Sequence, residues 1–208
     1  MADGAALERA LADALAGSGP LPAPALPAPG AEVVIVLAPD PDLALALAPL
    51  LDRLAMGGVH RGRLELVLAA PDGTPATPQL AGALRERLGV RVHVHDPAHA
   101  QTFPLRLADG VVVAVDDALR ECEALVLAGR LAPGDGAGNL SALLTPGLGD
   151  PATRAACRTP RADGRSWGAW TADALGVEIT VAFASPDGVA RAWVGDPARV
   201  AAALPRAS

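Results

Sequence analysis

Lysine is absent from this chain, and its absence excludes several kinds of chemistry. All 17 basic residues are arginine. A Schiff-base lysine, the lysine of a phosphate-binding P-loop and a cofactor tethered through lysine are therefore excluded. The formal net charge is −6 and no basic cluster occurs. We therefore expect no nucleic-acid partner, because nucleic-acid phosphates require a positively charged surface.

Cysteines and long apolar runs are also scarce. Cys122 and Cys157 are too few and too far apart to form a disulfide framework, which predicts a reducing, cytoplasmic location. No apolar run approaches about 18 residues, the length typical of a membrane-spanning helix. The sequence begins without the basic segment of a signal peptide. We therefore expect a cytoplasmic protein with no membrane partner.

Aromatic residues are few, with two Phe, three Trp and no Tyr, whereas 51% of the residues are hydrophobic. The predicted core is therefore aliphatic. We expect residues 1–30 to form an N-terminal helix, capped by Asp3, and a Pro/Ala-rich arm. That arm is either a bare linker or a segment packed across the domain. Residues 31–208 are expected to form one α/β domain, since 208 residues suffice for one large domain.

Apolar runs that alternate with helical patterns predict the fold class. Aliphatic runs bounded by Gly and Pro are typical of strands buried on both faces. The predicted strands are residues 32–37, 64–69, 90–94, 111–115 and 124–128. The helices predicted between them are residues 42–56, 77–88 and 116–122. This alternation predicts a mainly parallel sheet flanked by helices, which is a doubly wound, Rossmann-like α/β fold.

The last part of the sequence has a different pattern. Helical patterns occur in residues 151–158 and 166–175. Residues 178–184 and 189–194 predict a hairpin, and Asp196-Pro197 predicts the start of a final helix. We therefore expect a small C-terminal hairpin-and-helix extension.

Polar residues in loops after the predicted strands form the candidate ligand site. In an open α/β sheet, ligands bind beyond the carboxyl ends of the strands. Residues 124–149 begin as a strand, break at Gly129-Arg130 and continue into a Gly-rich loop. The candidate ligand-binding residues are Asp40, Asp72, Gly73, Thr74, Arg130, Asp135, Gly138, Asn139 and Ser141.

The residues of the Gly-rich loop each have two interpretations. Arg130 is either a bidentate partner for a substrate carboxylate or a solvated arginine at the rim. Asn139 and Ser141, with the backbone of residues 136–138, either cradle an anion or only preserve the shape of the loop.

Two groups of side chains have the composition of a metal site. The first group consists of carboxylates after three predicted strands, Asp40, Asp72 and Asp135. They either bind a divalent cation together or form turns, which is the commoner use of Asp next to Pro or Gly. The second group is the pattern H-x-H-D-x-x-H, formed by His93, His95, Asp96 and His99. Its spacing suits zinc or nickel, although imidazoles at a strand exit are the simpler explanation.

The order and spacing of these segments resemble the N-terminal domain of the nickel-dependent lactate racemase family. The matching segments are residues 10–36, 59–88, 95–96, 113–147 and 179–200. The resemblance implies an α/β domain with a cleft for a small carboxylate or hydroxy acid. It also implies that the family's usual C-terminal domain is missing from this sequence.

The family's catalytic residues do not carry over. In the family, a nickel pincer cofactor is tethered through a lysine, and two histidines exchange the α-proton of the substrate. Gly73 and Gly134 stand at the histidine positions, and residues 141–145 contain no lysine. Residues 38–42, where the family has an arginine, contain none. The resemblance therefore implies no nickel cofactor and no nickel-pincer racemisation here.

Two functions follow as expectations, and they leave open whether the protein is an enzyme. The first is a divergent, stand-alone domain that binds a small carboxylate or acts as a subunit. Its protein partner would be an intact family member or a separate second domain. Trp167 and Trp170, at helical spacing, would cover a hydrophobic edge that such a partner can contact. The alternative is a racemase-like enzyme with altered chemistry that uses acidic loop residues, with or without a divalent metal.

Overall fold

A computed structural model of the chain describes residues 3–131, 138–185 and 188–204. The strands are β1 (Val33–Leu37), β2 (Leu64–Leu68), β3 (Arg91–Val94), β4 (Thr102–Arg106), β5 (Val112–Asp116), β6 (Ala124–Arg130), β7 (Val177–Ala184) and β8 (Arg191–Gly195). The α-helices are α1 (Gly4–Leu15), α2 (Pro41–Ala46), α3 (Ala48–Met56), α4 (Pro78–Leu88), α5 (Gly138–Ser141), α6 (Pro151–Ala156), α7 (Trp167–Leu175) and α8 (Pro197–Ala203). Short 3₁₀ turns cover Arg61–Arg63 and Asp117–Leu119.

The main sheet has six strands in the order β3-β2-β1-β6-β7-β8. All neighbouring pairs are parallel except β7 and β8, which are antiparallel. The chain adds strands outwards from β1 to β3 and then returns to the other side of β1 with β6. The predicted mainly parallel α/β fold is therefore confirmed.

Helices cover both faces of this sheet, which explains the continuous apolar strands. Val33, Ile35 and Leu37 of β1 pack into a core with α1 to α4. Val34 and Val36 point to the opposite face and pack with residues of the segment after β6 and of α7. All five residues of β1 are buried. Burial of each such side chain stabilises the folded state by about 1.5–3 kcal/mol.

Side-chain caps fix several helix starts that the sequence predicts. Asp3, Thr77 and Asp196 accept hydrogen bonds from backbone amides three residues further on, as N-caps do. The predicted helix over residues 42–56 is instead two helices, α2 and α3. The break follows from Pro49, whose ring removes one backbone donor and clashes with the preceding turn.

The predicted strand over residues 111–115 does not belong to the main sheet. It forms β5, which pairs antiparallel with β4 in a separate two-stranded sheet. β4 is not predicted from the sequence, because Pro104 lies in its middle, and proline is tolerated only where a strand has an unpaired side. The predicted helix over residues 116–122 is only the turn Asp117–Leu119.

The two ends of the chain pack onto the domain. β7 pairs with β6, so the predicted C-terminal hairpin extends the main sheet. Residues Leu21 and Leu26 of the Pro/Ala-rich segment pack against buried clusters, and Gly30 N donates to Gly58 O at 3.0 Å. That segment is therefore an arm packed across the domain. Among the described helices, none is long and apolar enough to span a membrane.

Candidate functional site

The loops after the parallel strands meet at one end of the sheet, which we call the carboxyl edge. Strand order reverses between β1 and β6, and ligands of open α/β sheets bind where the order reverses. Asp40 follows β1 by three residues, and Arg130 is the last residue of β6. Two of the predicted site residues are therefore at the position that the topology favours.

Asp40 and Arg130 form an ion pair at this position. Arg130 Nε lies 2.7 Å from Asp40 Oδ2, and Asp42 Oδ2 lies 3.9 Å from Arg130 Nη2. The side chains of Arg130 and Asp40 are 24% and 31% exposed, so both reach solvent in part. Asp40 also accepts a hydrogen bond from Leu43 N at 3.0 Å and thereby caps α2. Arg130 is thus held in place by carboxylates of the first loop.

Asp72, Gly73 and Thr74 form a tight turn after β2. Gly73 N donates to Ala70 O at 2.9 Å, and Asp72 Oδ1 accepts from Thr74 N at 2.9 Å. Asp72 therefore has the turn-forming contact that its sequence context favours. Gly73 has φ +92°, in the left-handed region that side chains rarely adopt.

Arg154 of α6 is a residue of this edge that the sequence did not indicate. Its Nη1 donates to Ala70 O at 2.7 Å and to Pro146 O at 2.8 Å, and its Nη2 donates to Pro71 O at 3.3 Å. A Cβ on Gly73 would lie 3.0 Å from Arg154 Nη2. No local pattern could have revealed Arg154, since its partners are backbone carbonyls and two of them, Ala70 O and Pro71 O, lie 84 and 83 residues away in sequence.

The segment over residues 145–149 covers the ends of β2 and β5. Gly147 O accepts from Ala70 N, and Leu148 O accepts from Asp116 N, both at 2.9 Å. The segment begins with a cis peptide bond between Thr145 and Pro146. Thr145 is buried and its hydroxyl lies 2.8 Å from that of Thr171 in α7. These contacts hold the segment to the carboxyl edge.

The predicted Gly-rich loop is only partly described. Asp135 lies outside the described residues, and so does the side chain of Asn139 in α5, the helix that begins at Gly138. Ser141, at the end of α5, is 7% exposed, and its Oγ lies 3.4 Å from Ser166 Oγ. The interpretation of Asn139 as an anion ligand therefore stays a prediction.

The predicted histidine group divides into two separate clusters. His93 Nε2 and His95 Nδ1 lie 3.0 Å and 2.6 Å from Asp116 Oδ2. His99 Nδ1 pairs instead with Asp96 Oδ2 at 2.9 Å, on the surface. Within the part of the chain that the structure describes, no group of three or more His, Cys, Asp and Glu side chains is arranged to hold a metal ion. Metal binding by these residues stays a prediction.

Asp116 is the centre of the buried cluster, and the sequence did not single it out. Its side chain is 1% exposed, and that of His95 is 0% exposed. Asp116 Oδ1 also accepts from Ala118 N at 2.9 Å, and His95 Nε2 lies 3.3 Å from Gly149 O. The cluster therefore joins β3, the end of β5 and residues 145–149.

The cluster shifts the pKa values of two of its members. Burial acts to raise the pKa of Asp116, but the hydrogen bonds from His93, His95 and Ala118 N outweigh it and hold the pKa well below its usual range. The hydrogen bond to Asp116 raises the pKa of His93 above its ordinary value, although burial opposes the shift. The charges of Asp116 and Glu65 raise the pKa of His93 further.

We expect the stability of the protein to fall as the pH rises above about 6.5, in part because of His93. Since the pKa of His93 is raised in the folded protein, its contribution is complete below the unfolded pKa and is lost as pH rises through the folded pKa. The side chain is 36% exposed, so solvent screening limits the effect to less than about 1 kcal/mol. Urea unfolding at pH 6 and pH 8.5 measures it.

The matched control for this prediction is His99→Gln. His99 is 82% exposed and pairs with Asp96 on the surface, so this variant should show the wild-type dependence on pH. His93→Gln should show a smaller loss between the two pH values. An equal loss in the wild type and in His93→Gln would contradict the role assigned to His93.

The two tryptophans of α7 cover the sheet formed by β4 and β5. Trp167 and Trp170 pack against the buried residues of that sheet. The guanidinium of Arg161 lies over both rings, at 4.8 Å and 4.7 Å from their centroids. The tryptophans therefore have a structural role, and their contact with a partner stays a prediction.

A groove of about 680 Å³ is lined by Ser141, one of the predicted site residues, but not by Asp40 or Arg130. It runs between α7 and α8, with β6 and β7 at its base. Its lining is mostly small and apolar, and includes Leu127, Ala169, Ala172, Val177 and Ala201. The groove is therefore separate from the charged residues of the carboxyl edge.

The fold is thus that of open α/β proteins whose strand order reverses next to a polar crevice. Among solved structures, the lactate racemase apoprotein from Thermoanaerobacterium thermosaccharolyticum is similar, with a TM-score of 0.62 and 15% sequence identity. The similarity covers 96% of this chain and 53% of that chain, so this chain spans about half the length of that protein. At this identity the similarity shows the fold alone. No protein-family model matches the sequence, and no curated protein sequence matches it.

Proposed function

We propose that the chain is a divergent domain of the lactate-racemase type that binds a small carboxylate, such as a 2-hydroxy acid, at the carboxyl edge. The observation that carries this proposal is the partly exposed Asp40–Arg130 pair between β1 and β6. It places a guanidinium and a carboxylate side by side where the strand order reverses. The fold shared with lactate racemase supports the assignment to this type of domain.

The chemistry of the pair suits a hydroxy acid. A guanidinium binds a carboxylate through two parallel, charge-assisted hydrogen bonds. The carboxylate of Asp40 accepts a hydrogen bond from a neighbouring hydroxyl group. The ligand carboxylate would replace Asp40 as a partner of Arg130, so Asp40 acts both as a competitor and as a hydroxyl acceptor.

We further infer that this domain does not use a nickel pincer cofactor. The residues at the corresponding positions do not fit such a group. The sequence has no lysine to tether it. The family's lysine would fall within residues 141–145, and Leu143, Leu144 and Thr145 of that stretch are buried in the core. Gly73, at a histidine position, has φ +92° and lies against Arg154, so a side chain there would require the turn to rearrange.

The test is a titration with small carboxylates followed by NMR and calorimetry. Acetate, glycolate and both enantiomers of lactate are the ligands, and propane-1,2-diol is the uncharged control. We expect the carboxylates to bind and Arg130→Gln to weaken lactate binding at least about tenfold, since a charge-assisted hydrogen bond is worth about 1.5–3 kcal/mol. Arg120→Gln is the matched control, because Arg120 pairs with Asp117 on the surface. Equal affinities in the wild type and in Arg130→Gln would contradict the proposal.

Asp40→Asn tests the competition between Asp40 and the ligand. Asparagine caps a helix as well as aspartate does, so α2 should keep its start. With the competing charge removed, acetate should bind several-fold more tightly than to the wild type. Unchanged or weaker acetate binding would show that Asp40 does not compete for Arg130.

A second candidate is the role of a subunit, and the groove between α7 and α8 favours it. An exposed apolar groove is typical of a surface that another protein covers. The partner would be an intact lactate-racemase-type protein or a separate second domain. Native mass spectrometry of the protein purified from its own host tests this candidate. A stoichiometric second chain is expected, and the mass of a lone monomer would contradict it.

A further inference from the structure

We propose that Arg154 is a positioning residue for the carboxyl edge, on which the affinity of the Asp40–Arg130 pair for a carboxylate depends. The inference rests on the proposed function. It assigns the role to a guanidinium outside the ligand pair, which fixes two loops of the carboxyl edge.

The geometry of the contacts supports a positioning role. One guanidinium joins the loop after β2, through Ala70 O and Pro71 O, to the segment over residues 145–149, through Pro146 O. These two chain segments lie 75 residues apart in sequence, from Pro71 to Pro146. All three acceptors are backbone carbonyls, so the contact fixes main-chain positions rather than side chains.

Among the described residues, the hydrogen-bond acceptors of the Arg154 guanidinium are these three carbonyls. In the described ranges, the partners of its guanidinium do not include a carboxylate. The planar fork of an arginine can donate to several acceptors at once, whereas the compact ammonium of a lysine cannot reproduce that arrangement. The site therefore requires arginine rather than a positive charge in general.

Gly73 shows how closely the turn is fitted to Arg154. A Cβ at this position would lie 3.0 Å from Nη2 and 3.7 Å from Cζ of Arg154. The absence of a side chain lets the turn lie directly against the guanidinium. The conformation of the turn and the position of Arg154 are therefore coupled.

The position of the turn after β2 is linked to the Asp40–Arg130 pair through the main sheet. Ala69 N, one residue before the clamped carbonyl of Ala70, donates to Leu37 O at 2.9 Å. Leu37 is the last residue of β1, and Asp40 follows in the same loop. A displacement of the turn is thereby transmitted to the loop that holds Asp40 against Arg130.

The experiment compares the full-length wild type with Arg154→Gln, Arg154→Lys and Arg161→Gln. Arg161 packs on Trp167 and Trp170 rather than on the carbonyls that Arg154 binds, so its variant controls for a general loss of stability. The readouts are hydrogen exchange at Ala70, Gly73 and Gly147, and the affinity for L-lactate by NMR titration. We expect Arg154→Gln to increase exchange at these amides and to weaken lactate binding about tenfold, which corresponds to about 1.4 kcal/mol.

The outcomes separate this proposal from the proposed function. Arg154→Lys should weaken binding to a lesser extent, and it serves as the test if Arg154→Gln does not fold. Arg161→Gln should leave the affinity unchanged. If the wild type binds lactate and both Arg154 variants bind it equally well, the positioning role is wrong and the proposed function stands. A wild-type protein that binds no carboxylate removes the proposed function and this role with it.

Discussion

Replacing Asp116 with alanine is expected to destabilise the protein by about 3–5 kcal/mol, the range for breaking a buried ionic contact by removing one partner. The carboxylate is 1% exposed and accepts hydrogen bonds from His93, His95 and Ala118 N. Its removal leaves His95, which is 0% exposed, without its nearest acceptor. Unfolding in urea at pH 6 measures the loss.

The neighbouring residue supplies the control. Asp117 is 39% exposed and pairs with Arg120 on the surface, so Asp117→Ala should cost less than about 1 kcal/mol. Similar losses in the two variants would mean that the buried cluster is no more important than a surface ion pair.

The substitution Gly168→Ala is expected to cost about 3 kcal/mol or more, because two helices touch at this glycine. A Cβ on Gly168 would lie 2.2 Å from Ser141 O and 2.4 Å from Ser141 C. Both atoms are backbone, so α7 would have to move away from α5. Inserting a methyl group into a well-packed contact costs about 1–3 kcal/mol, and more where backbone must move. Thermal and urea unfolding of the variant measure the effect.

Gly82→Ala is the matched control for this prediction. Gly82 lies within α4, and a Cβ there would have no neighbour within 4 Å. Alanine should stabilise the helix at this position by about 0.5–1 kcal/mol, because glycine loses more backbone freedom on folding. The same change of residue is thus expected to have opposite signs at the two positions. Loss of stability at both would contradict the packing argument.

The parallel part of the sheet was predictable because both of its faces are covered. A run such as Val33–Leu37 has no polar position, and only a strand buried on both sides requires that. β4 is not predicted from the sequence, and β5 is predicted as a strand of the main sheet. Both strands belong instead to a separate two-stranded sheet. β4 contains Pro104, and proline is rare inside strands. The break between α2 and α3 follows from Pro49, which the aliphatic pattern of the helix obscured.

The sequence predicts which loops form the site, but not which of their side chains contact each other. Asp40 and Arg130 were both expected near the ends of parallel strands, since such loops meet at one edge. That they bind each other depends on the adjacency of β1 and β6, which local patterns do not contain. Asp116 and Arg154 cannot be found from local patterns, because His95 and Ala70 O, the partners that give them their positions in the site, lie 21 and 84 residues away in sequence.

The position of α1 has a consequence for the synthesis of the protein. Leu7, Leu11 and Leu15 are buried in one core with residues of β7 and β8, so the first helix packs against the last strands. Ribosomes add about 5–20 residues per second, so the stretch of about 175 residues from α1 to β8 takes roughly 9–35 seconds to make. During that interval the apolar face of α1 lacks part of its final cover. The first helix therefore packs early on α2 and α3 and gains the rest of its cover only after β8 has been made.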